Sequence, residues 1–193
     1  MRIWIVTTGE PVPFLPDEAN DRFFRAGKLA QYLKGQGHEV VWWTARFNHY
    51  QKNQRPVSEN VPVILSSDAP EIVFLGSQGY EKNISIKRFR DHWQLGAAFR
   101  KIARTMKKPD LIFCAYPVID LAYQVTSFGE MNDIPTVLDI RDLWPDIIYE
   151  RIKLPFNRWL LPYEYMAKKA FQTADGVVGL TSSMLNWGQK RFK

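Results

Sequence analysis

The sequence contains a single cysteine, Cys114, among 193 residues. One cysteine excludes a disulfide within the chain and any zinc site built on several thiolates. Because Cys114 lies in the apolar run LIFCAY, we expect a buried and unreactive thiol. The three histidines, His38, His49 and His92, are scattered and lack metal-ligand spacings such as H-E-x-x-H. The sequence therefore predicts no metal site.

Two glycine-rich phosphate-binding signatures are also missing. Neither G-x-G-x-x-G nor G-x-x-x-x-G-K-[ST] occurs in the chain. Gly9 follows the first predicted strand without the second and third glycines that let a backbone approach a dinucleotide pyrophosphate. A dinucleotide-dependent dehydrogenase and a P-loop enzyme both lose their support, and no cofactor is predicted.

Long apolar segments are absent as well. No run approaches the ~20 residues that a membrane-spanning helix needs. The beginning of the chain, MRIWIVTTGE, lacks the apolar stretch and cleavage site of a secretory signal. With 46% hydrophobic and 24% charged residues, the composition is that of a globular protein, and the length suits one domain. We predict a cytoplasmic protein.

Positive charge is in excess, and it is unevenly placed. The formal net charge is +6, and residues 151–193 carry eight Lys and Arg against two acids. Residues 87–108 carry eight more against Asp91, whereas residues 139–150 are acidic. A basic surface suits nucleic acid, anionic lipid or phosphorylated ligands, and charge alone does not choose among them. Solvated helix faces are the plainer interpretation.

Apolar periodicity predicts alternating strands and helices. The predicted strands cover residues 3–8, 40–43, 61–66, 71–76, 110–116, 135–140 and 177–181. The predicted helices cover 19–35, 87–107 and 118–131, a region bracketed by Pro155 and Pro162 that is kinked or split, and a short helix capped by Ser182 or Ser183. This order predicts an α/β fold, a doubly wound, mostly parallel sheet with helices on both faces.

The chemistry is expected where the loops after parallel strands converge. Unusual residues follow four predicted strands. They are Gly9 and Glu10, then His49 and Lys52, then Tyr116, and finally Asp139, Arg141, Asp142 and Trp144. We predict catalytic roles for Arg141 and Asp142 and substrate binding by the other seven.

A carboxylate at position 142 is suited to accept a proton from an attacking hydroxyl, and Arg141 is suited to pair with phosphate oxygens. The alternative is that Asp142 caps the next helix or pairs with Arg141. For Asp139, inside a strand, a hydrogen bond to neighbouring backbone is the competing interpretation. For His49 the competing interpretation is an ordinary solvated loop.

Tryptophan is abundant, with seven residues. Trp42 and Trp43 are consecutive on a strand, so they point to opposite faces and both can lie under helices. Residues 158–169 mix Trp159 and neighbouring tyrosines with Arg and Lys, as interfacial membrane segments do. The same composition also fits two alternatives for this segment: a surface that packs on another domain, or a helix that faces the core.

Together these stretches resemble the N-terminal domain of family 4 glycosyltransferases of the GT-B fold, especially bacterial members that build capsular polysaccharide or O-antigen. The resemblance rests on the strand ending in Gly9-Glu10, LAQYLKGQGHEVVWWTA, FNHYQK, PDLIFCAYP, PTVLDIRDLWPD and ADGVVGLTSSM. DIRDLWPD is the most specific of them. These stretches span the whole chain in order.

The resemblance implies a retaining, metal-independent transfer of a sugar from a nucleotide-sugar co-substrate to a glycan or polyprenyl-linked acceptor. It implies that Gly9 and Glu10 face the donor diphosphate. Arg141 and Asp142 then lie where relatives often carry a His-Asp pair beside the reacting sugar. The E-x7-E glutamates of the family's donor domain have no counterpart after Glu164. We therefore expect residues 1–193 to be one acceptor-side domain, inactive without a C-terminal donor domain.

Three hypotheses follow for function. The first is the acceptor half of a glycosyltransferase at the inner face of the plasma membrane, where the basic aromatic segments meet anionic lipid. The second is a non-catalytic module that binds sugar or nucleotide. The third, a nucleic-acid binder, lacks any helix-turn-helix, RNP or zinc-finger pattern, so we predict no nucleic-acid partner.

Overall fold

The computed structural model describes residues 1–67, 69–83, 85–147 and 161–192. The strands are β1 Arg2–Val6, β2 Glu39–Ala45, β3 Phe47–Asn48, β4 Asn53–Gln54, β5 Pro62–Val63, β6 Glu71–Leu75, β7 Leu111–Tyr116, β8 Thr136–Ile140 and β9 Gly176–Gly179. The helices are α1 Arg25–Gly35, α2 Ile86–Ala103, α3 Ile119–Asn132, α4 Leu161–Thr173 and α5 Ser182–Phe192. No described helix is both long enough and apolar enough to cross a membrane.

Seven of the described strands form one sheet in the order β5-β6-β2-β1-β7-β8-β9. Every pairing is parallel except that of β5 with β6. The six parallel strands follow the doubly wound order. The chain builds the sheet outward from β1 in one direction, through β2 and β6, and then returns to the other side of β1 to add β7, β8 and β9. This confirms the predicted fold class. It also puts a topological switch point, where such folds bind ligands, beside the loop after β1.

Two separate apolar cores lie on the two faces of the sheet. Trp43 packs in the core shared with α2, α3, α4 and α5, whereas Trp42 packs in the core beneath α1. Both indoles are fully buried. The prediction that the two neighbouring tryptophans point to opposite, helix-covered faces is confirmed, because successive strand residues alternate in direction.

The strand β7 is less buried than its apolar run predicts. Its residues alternate between half-buried and buried, and Leu111 and Phe113 are the half-buried members on the α1 side. The reason is geometric, since α1 packs on β2, which is two positions from β7 in the sheet. Cys114 points to the other face and is fully buried, and burial raises the pKa of its thiol far above the usual range.

The first helix begins six residues later than its apolar spacing predicts. Residues 19–21 form a turn and a bend, residues 22–24 have no regular structure, and α1 begins at Arg25. The carboxylate of Glu10 accepts hydrogen bonds from the backbone N–H groups of Ala26 and Gly27 at 3.0 and 3.1 Å. These N–H groups have no partner within the helix, so a side chain distant in sequence determines where the helix begins.

A buried ion pair holds the loop between β1 and α1. Glu18 and Arg55 are 2% and 3% exposed as side chains, and Arg55 Nε lies 2.6 Å from Glu18 Oε1. Glu18 also accepts hydrogen bonds from the Val12 N–H and from Asn48 Nδ2. The pair thus joins the loop after β1 to the β3–β4 hairpin.

Two further predictions differ in detail from the structure. The strand predicted at 61–66 is reduced to Pro62–Val63, an antiparallel edge strand beyond which Ile64 is exposed. The last helix does begin at Ser182, yet its cap is Thr181, whose hydroxyl accepts from the Met184 N–H at 3.3 Å. Most of the region bracketed by Pro155 and Pro162, including Trp159, lies outside the described residues.

Glu18→Gln is expected to lower the free energy of unfolding by about 3–5 kcal/mol, because it leaves the buried Arg55 guanidinium without its counter-charge. Urea denaturation near neutral pH measures the effect. Glu81→Gln removes a carboxylate from an ion pair that is 81% exposed on the glutamate side, so about 1 kcal/mol or less is expected there. Equal effects of the two substitutions would contradict the role of the buried pair.

The Glu18 effect also has a defined pH dependence. Burial by itself raises the Glu18 pKa, but the hydrogen bonds and charge of Arg55, with the Val12 N–H, outweigh it and hold the pKa below its ordinary value of 4.5. The stabilisation is therefore complete above that value and is lost as the pH falls through the folded-state pKa. The difference in the free energy of unfolding between wild type and Glu18→Gln should therefore become smaller as the pH is lowered.

Candidate functional site

A cavity of ≈ 270 Å³ opens at the carboxyl ends of β1, β2, β7 and β8. It lies at the switch point of the sheet. The lining residues that matter for its chemistry are Thr7, Gly9, Glu10, His49, Tyr80, Arg88, Asp91, His92, Pro117, Arg141 and Asp142. Of the nine residues predicted from the sequence, Gly9, Glu10, His49, Arg141 and Asp142 meet in this cavity.

The loop after β1 presents backbone to the cavity. Apart from its chain neighbours, no atom of the described residues lies within 4 Å of a Cβ added at Gly9, so the space beside this cavity-lining residue is open. A ligand can approach the backbone at Gly9 more closely than it can approach any position with a side chain.

Beneath the cavity, two acids and two arginines form one network. Arg141 contacts Glu10 through Nη1 and Asp139 Oδ2 through Nε, the latter at 3.0 Å. Arg25 Nη2 lies 2.9 Å from Asp139 Oδ1. The pKa of Arg141 is raised because the charges of Glu10 and Asp139 outweigh its burial. Arg141 is therefore a fixed positive charge, and only Nη2 has no partner among the described residues.

This network gives Glu10 and Asp139 structural partners. Glu10 faces the cavity, but its carboxylate is occupied by the first turn of α1 and by Arg141. Asp139 is fully buried and bonds to guanidinium groups, where a backbone partner was the competing prediction. Both carboxylates position Arg141, and Gly9 and Arg141 line this side of the cavity.

Asp142 differs from these buried acids because its carboxylate is exposed at the cavity wall. No hydrogen bond or ion pair joins it to Arg141 or to any other described residue, so pairing with Arg141 does not explain it. Partial burial raises its pKa, and the charge of Arg88 opposes the rise. A carboxylate that has a raised pKa and no partner among the described residues is suited to accept a proton from a ligand.

His49 lies on the opposite wall, and its hydrogen bonds define its tautomer. Tyr80 Oη lies 2.6 Å from His49 Nδ1, and Lys52 Nζ lies 3.4 Å from the same nitrogen. A lysine ammonium only donates, so Nδ1 accepts and the proton of the neutral ring is on Nε2. Burial lowers the His49 pKa to about 4, with help from the charges of Lys52 and Arg88. At neutral pH His49 is thus an uncharged donor.

Arg88 extends this wall from helix α2. Its guanidinium lies over the rings of Trp144 and Tyr80, 4.7 and 5.3 Å from their centroids. Its Nε donates to His92 Nε2 at 3.3 Å. Burial lowers the His92 pKa to about 3, and the charge of Arg88 acts in the same direction. Neighbouring Asp91 accepts from the N–H of Gly79, whose φ of +76° favours glycine.

The other predicted residues surround the cavity without lining it. Lys52 lines a second cavity, which shares Tyr80 and Phe47 with the first. Tyr116 is buried and donates its hydroxyl to the Trp144 carbonyl at 2.7 Å. Trp144 in turn supports Arg88. These residues hold the walls in place.

Sequence reasoning missed Tyr80, Arg88, Asp91 and His92 as site residues. The last three were visible as a basic helical stretch, and their i, i+3, i+4 spacing places them on one face of a helix. That spacing was the available signal. Among the described residues, no group of His, Cys, Asp or Glu is arranged to hold a metal ion.

Comparison with known proteins finds one matching family and solved structures that share the fold. Residues 25–193 match the family described as Glycosyltransferase Family 4. A sucrose-phosphate synthase from Thermosynechococcus elongatus shares the fold with a TM-score of 0.61 and 11% identity, over 100% of this chain and 83% of that one. Arabidopsis thaliana UGT89C1, solved in complex with UDP, shares the fold with a TM-score of 0.51 and 10% sequence identity, over 100% of this chain and 50% of that one. No curated protein matches the sequence.

Lys52→Gln is expected to raise the His49 pKa above about 4, because it removes a positive charge 3.4 Å from Nδ1. Burial remains, so the pKa should stay below the ordinary 6.5. An NMR titration of the imidazole resonances measures it. Lys101→Gln, on the exposed surface of α2, removes the same charge elsewhere and should leave the His49 pKa unchanged. A His49 pKa near 6.5 in the wild type would contradict the assigned tautomer and contacts.

Proposed function

The chain belongs to glycosyltransferase family 4, and from that membership we propose that it is the acceptor-side domain of an enzyme that transfers a sugar from a nucleotide-sugar donor. One observation carries the proposal. An unoccupied carboxylate, a fixed guanidinium and an open glycine backbone converge in one cavity at the switch point of the sheet. The groups concerned are Asp142, Arg141 and Gly9.

In the proposed reaction, Asp142 removes the proton of the acceptor hydroxyl as the hydroxyl oxygen bonds to the anomeric carbon of the donor sugar. The bond from that carbon to the diphosphate oxygen breaks, and the diphosphate leaves with the electron pair. The raised pKa of Asp142 supports this role, since a base is most effective when its pKa approaches the working pH. Following the family resemblance, we propose that the transfer retains the anomeric configuration. In this single displacement the acceptor hydroxyl therefore approaches the anomeric carbon on the face from which the diphosphate departs.

The donor diphosphate is proposed to face Gly9 and Arg141. The bare backbone at Gly9 permits close approach, and Arg141 supplies positive charge near the leaving oxygen without having to reorganise. Glu10 and Asp139 hold Arg141 in place for this. We propose that a second Rossmann-like domain, carrying the E-x7-E glutamates of the family, binds the rest of the nucleotide sugar across the cavity.

Asp142→Asn is expected to lower sugar transfer by about 100-fold or more, because it removes the proton acceptor. Release of nucleoside diphosphate from a panel of nucleotide sugars, with membrane extract as acceptor source, measures transfer by the protein at the full length of its reading frame. Asp133→Asn is the matched control. Its φ of 55° is one that asparagine tolerates, and it lies at the end of α3.

Two outcomes would contradict the proposal. Equal transfer by the Asp142→Asn and Asp133→Asn proteins would remove Asp142 from the chemistry. Binding of nucleotide sugar without transfer, by wild type and both variants, would support the alternative of a non-catalytic sugar or nucleotide module.

We further propose that the acceptor is lipid-linked and that the domain works at the cytoplasmic face of a membrane. Helix α2 supports this with an exposed side on which Trp93 and Ile86 are 62% and 87% exposed. Arg90 and Lys87 accompany them at the surface. Exposed aromatic and basic side chains on one helix suit the interface of an anionic bilayer.

Trp93→Gln is expected to weaken binding to phosphatidylglycerol vesicles by about tenfold, because it removes an aromatic anchor from the interface. Sedimentation at low salt measures binding. Tyr32→Gln is the control, since Tyr32 is 64% exposed on α1 across the sheet. If the wild type does not sediment with these vesicles at low salt, the membrane proposal fails.

A further inference from the structure

Two cations beside Tyr80, Arg88 at the first cavity and Lys52 at the second, have no carboxylate partner in the described chain. Neither Lys52 nor Arg88 makes an ion pair with any residue of the described chain, although twelve ion pairs are present elsewhere. The nearest acid to Arg88 on its own helix is Asp91, whose Oδ1 accepts from the Gly79 N–H. The charge of Arg88 opposes the rise in the pKa of Asp91 and of Asp142, so these acids compensate part of it, but no carboxylate of the described chain pairs with either cation.

A neutral residue holds both cations. Lys52 Nζ donates to Asn83 Oδ1 at 2.8 Å, and Arg88 Nη1 donates to the Asn83 carbonyl at 2.6 Å. Both also lie against the Tyr80 ring, with Lys52 Nζ 4.6 Å from its centroid and Arg88 Cζ 5.3 Å away. Because uncharged groups place the two cations, their charges stay available to a ligand.

Backbone geometry fixes the position of Lys52. Its φ of 57° is in the left-handed region that lysine seldom adopts, and its N–H donates to the Asn48 carbonyl at 2.9 Å. The Asn48 side chain closes the same turn by accepting from the N–H groups of Tyr50 and Gln51. Strained backbone of this kind persists where the surroundings hold it, and it is concentrated at ligand sites.

His49 adds a third donor between the two cations. Its Nδ1 faces Tyr80 and Lys52, which leaves Nε2–H for the cavity. The positive charges of this group affect the pKa of Lys52 and the pKa of His49. Burial and then Arg88 lower the Lys52 pKa, and burial, Lys52 and Arg88 lower that of His49. A bound anion would relieve this repulsion.

We propose that Lys52, His49 and Arg88 form an anion subsite that binds a phosphate group carried by the acceptor. Two cations and one neutral donor match a phosphate dianion better than a carboxylate, which carries a single charge. The assignment to the acceptor rests on the proposed function, because Gly9 and Arg141 take the donor side of the same cavity. The phosphate belongs either to a soluble phosphorylated sugar or to a polyprenyl phosphate.

Inorganic phosphate is the probe for the subsite itself. An NMR titration of the chain with phosphate near neutral pH should shift the His49 resonances, and bound phosphate should raise the His49 pKa. Lys52→Gln should weaken phosphate binding by about tenfold, as expected for the loss of one charged hydrogen bond. Lys101→Gln should leave it unchanged, and Gly9→Ala reports separately on any phosphate bound at the donor side. Lys52 is only partly buried, so its replacement is compatible with folding.

The opposite pattern would overturn the subsite. If Gly9→Ala weakens phosphate binding and Lys52→Gln does not, the phosphate binds on the donor side. If the Lys52→Gln and Lys101→Gln proteins bind phosphate with equal affinity, the net charge of the protein explains the binding and the subsite does not. Absence of any shift at His49 would also end the proposal.

Competition distinguishes the two sources of phosphate. Glucose 6-phosphate is compared with glucose, and phosphatidylcholine vesicles are compared with and without polyprenyl phosphate. Displacement of inorganic phosphate by either phosphorylated probe supports the subsite and identifies the source, and displacement by neither overturns the acceptor assignment. Phosphate binding that depends on Lys52, together with silence in the Asp142 transfer assay, would mean that the proposed function fails while the subsite stands.

Discussion

The Glu10 carboxylate holds the site together. It accepts from the first N–H groups of α1 and contacts Arg141 after β8, so one side chain joins three segments around the switch point. A helix N-terminus and a guanidinium both favour negative charge, which makes a buried carboxylate tolerable at this position. Without it, α1 would lose its cap and Arg141 would lose one of the two acids that hold it. The exposed backbone at Gly9 depends on the same anchor, because it is the adjacent residue.

Charge is divided across the cavity. On one side the positive charge of Arg141 is balanced by Glu10 and Asp139, whereas on the other side Lys52 and Arg88 have no acid partner in the described chain. Burial, together with the charges of Lys52 and Arg88, keeps His49 neutral. Asp142 has no hydrogen-bond or ion-pair partner among the described residues. An acceptor hydroxyl near Asp142 and a phosphate near Lys52 would occupy complementary ends of one ligand.

The differences between prediction and structure share one cause. Apolar spacing located α1 but placed its beginning at residue 19, because the pattern contains no information about a cap contributed from Glu10. It located β7 but overestimated the burial of Leu111 and Phe113, because the helix on their face packs two strands away. Local sequence specifies the type of an element, and contacts between distant residues determine its limits and its burial.

The sequence alone determined the α/β class and the mostly parallel sheet, and it predicted nine residues after the strands, five of which line the cavity. It could do so because strand and helix periodicities are local and the rule for parallel sheets places all trailing loops on one edge. Only the tertiary structure decided which of those residues are free to act. Glu10, Asp139 and Asp142 are equivalent as acids in the sequence, yet two are occupied by arginines and backbone N–H groups and one is open to the cavity. Arg88 and Tyr80 join the site through contacts between segments that are far apart in the chain, and spacing along the chain cannot encode such contacts.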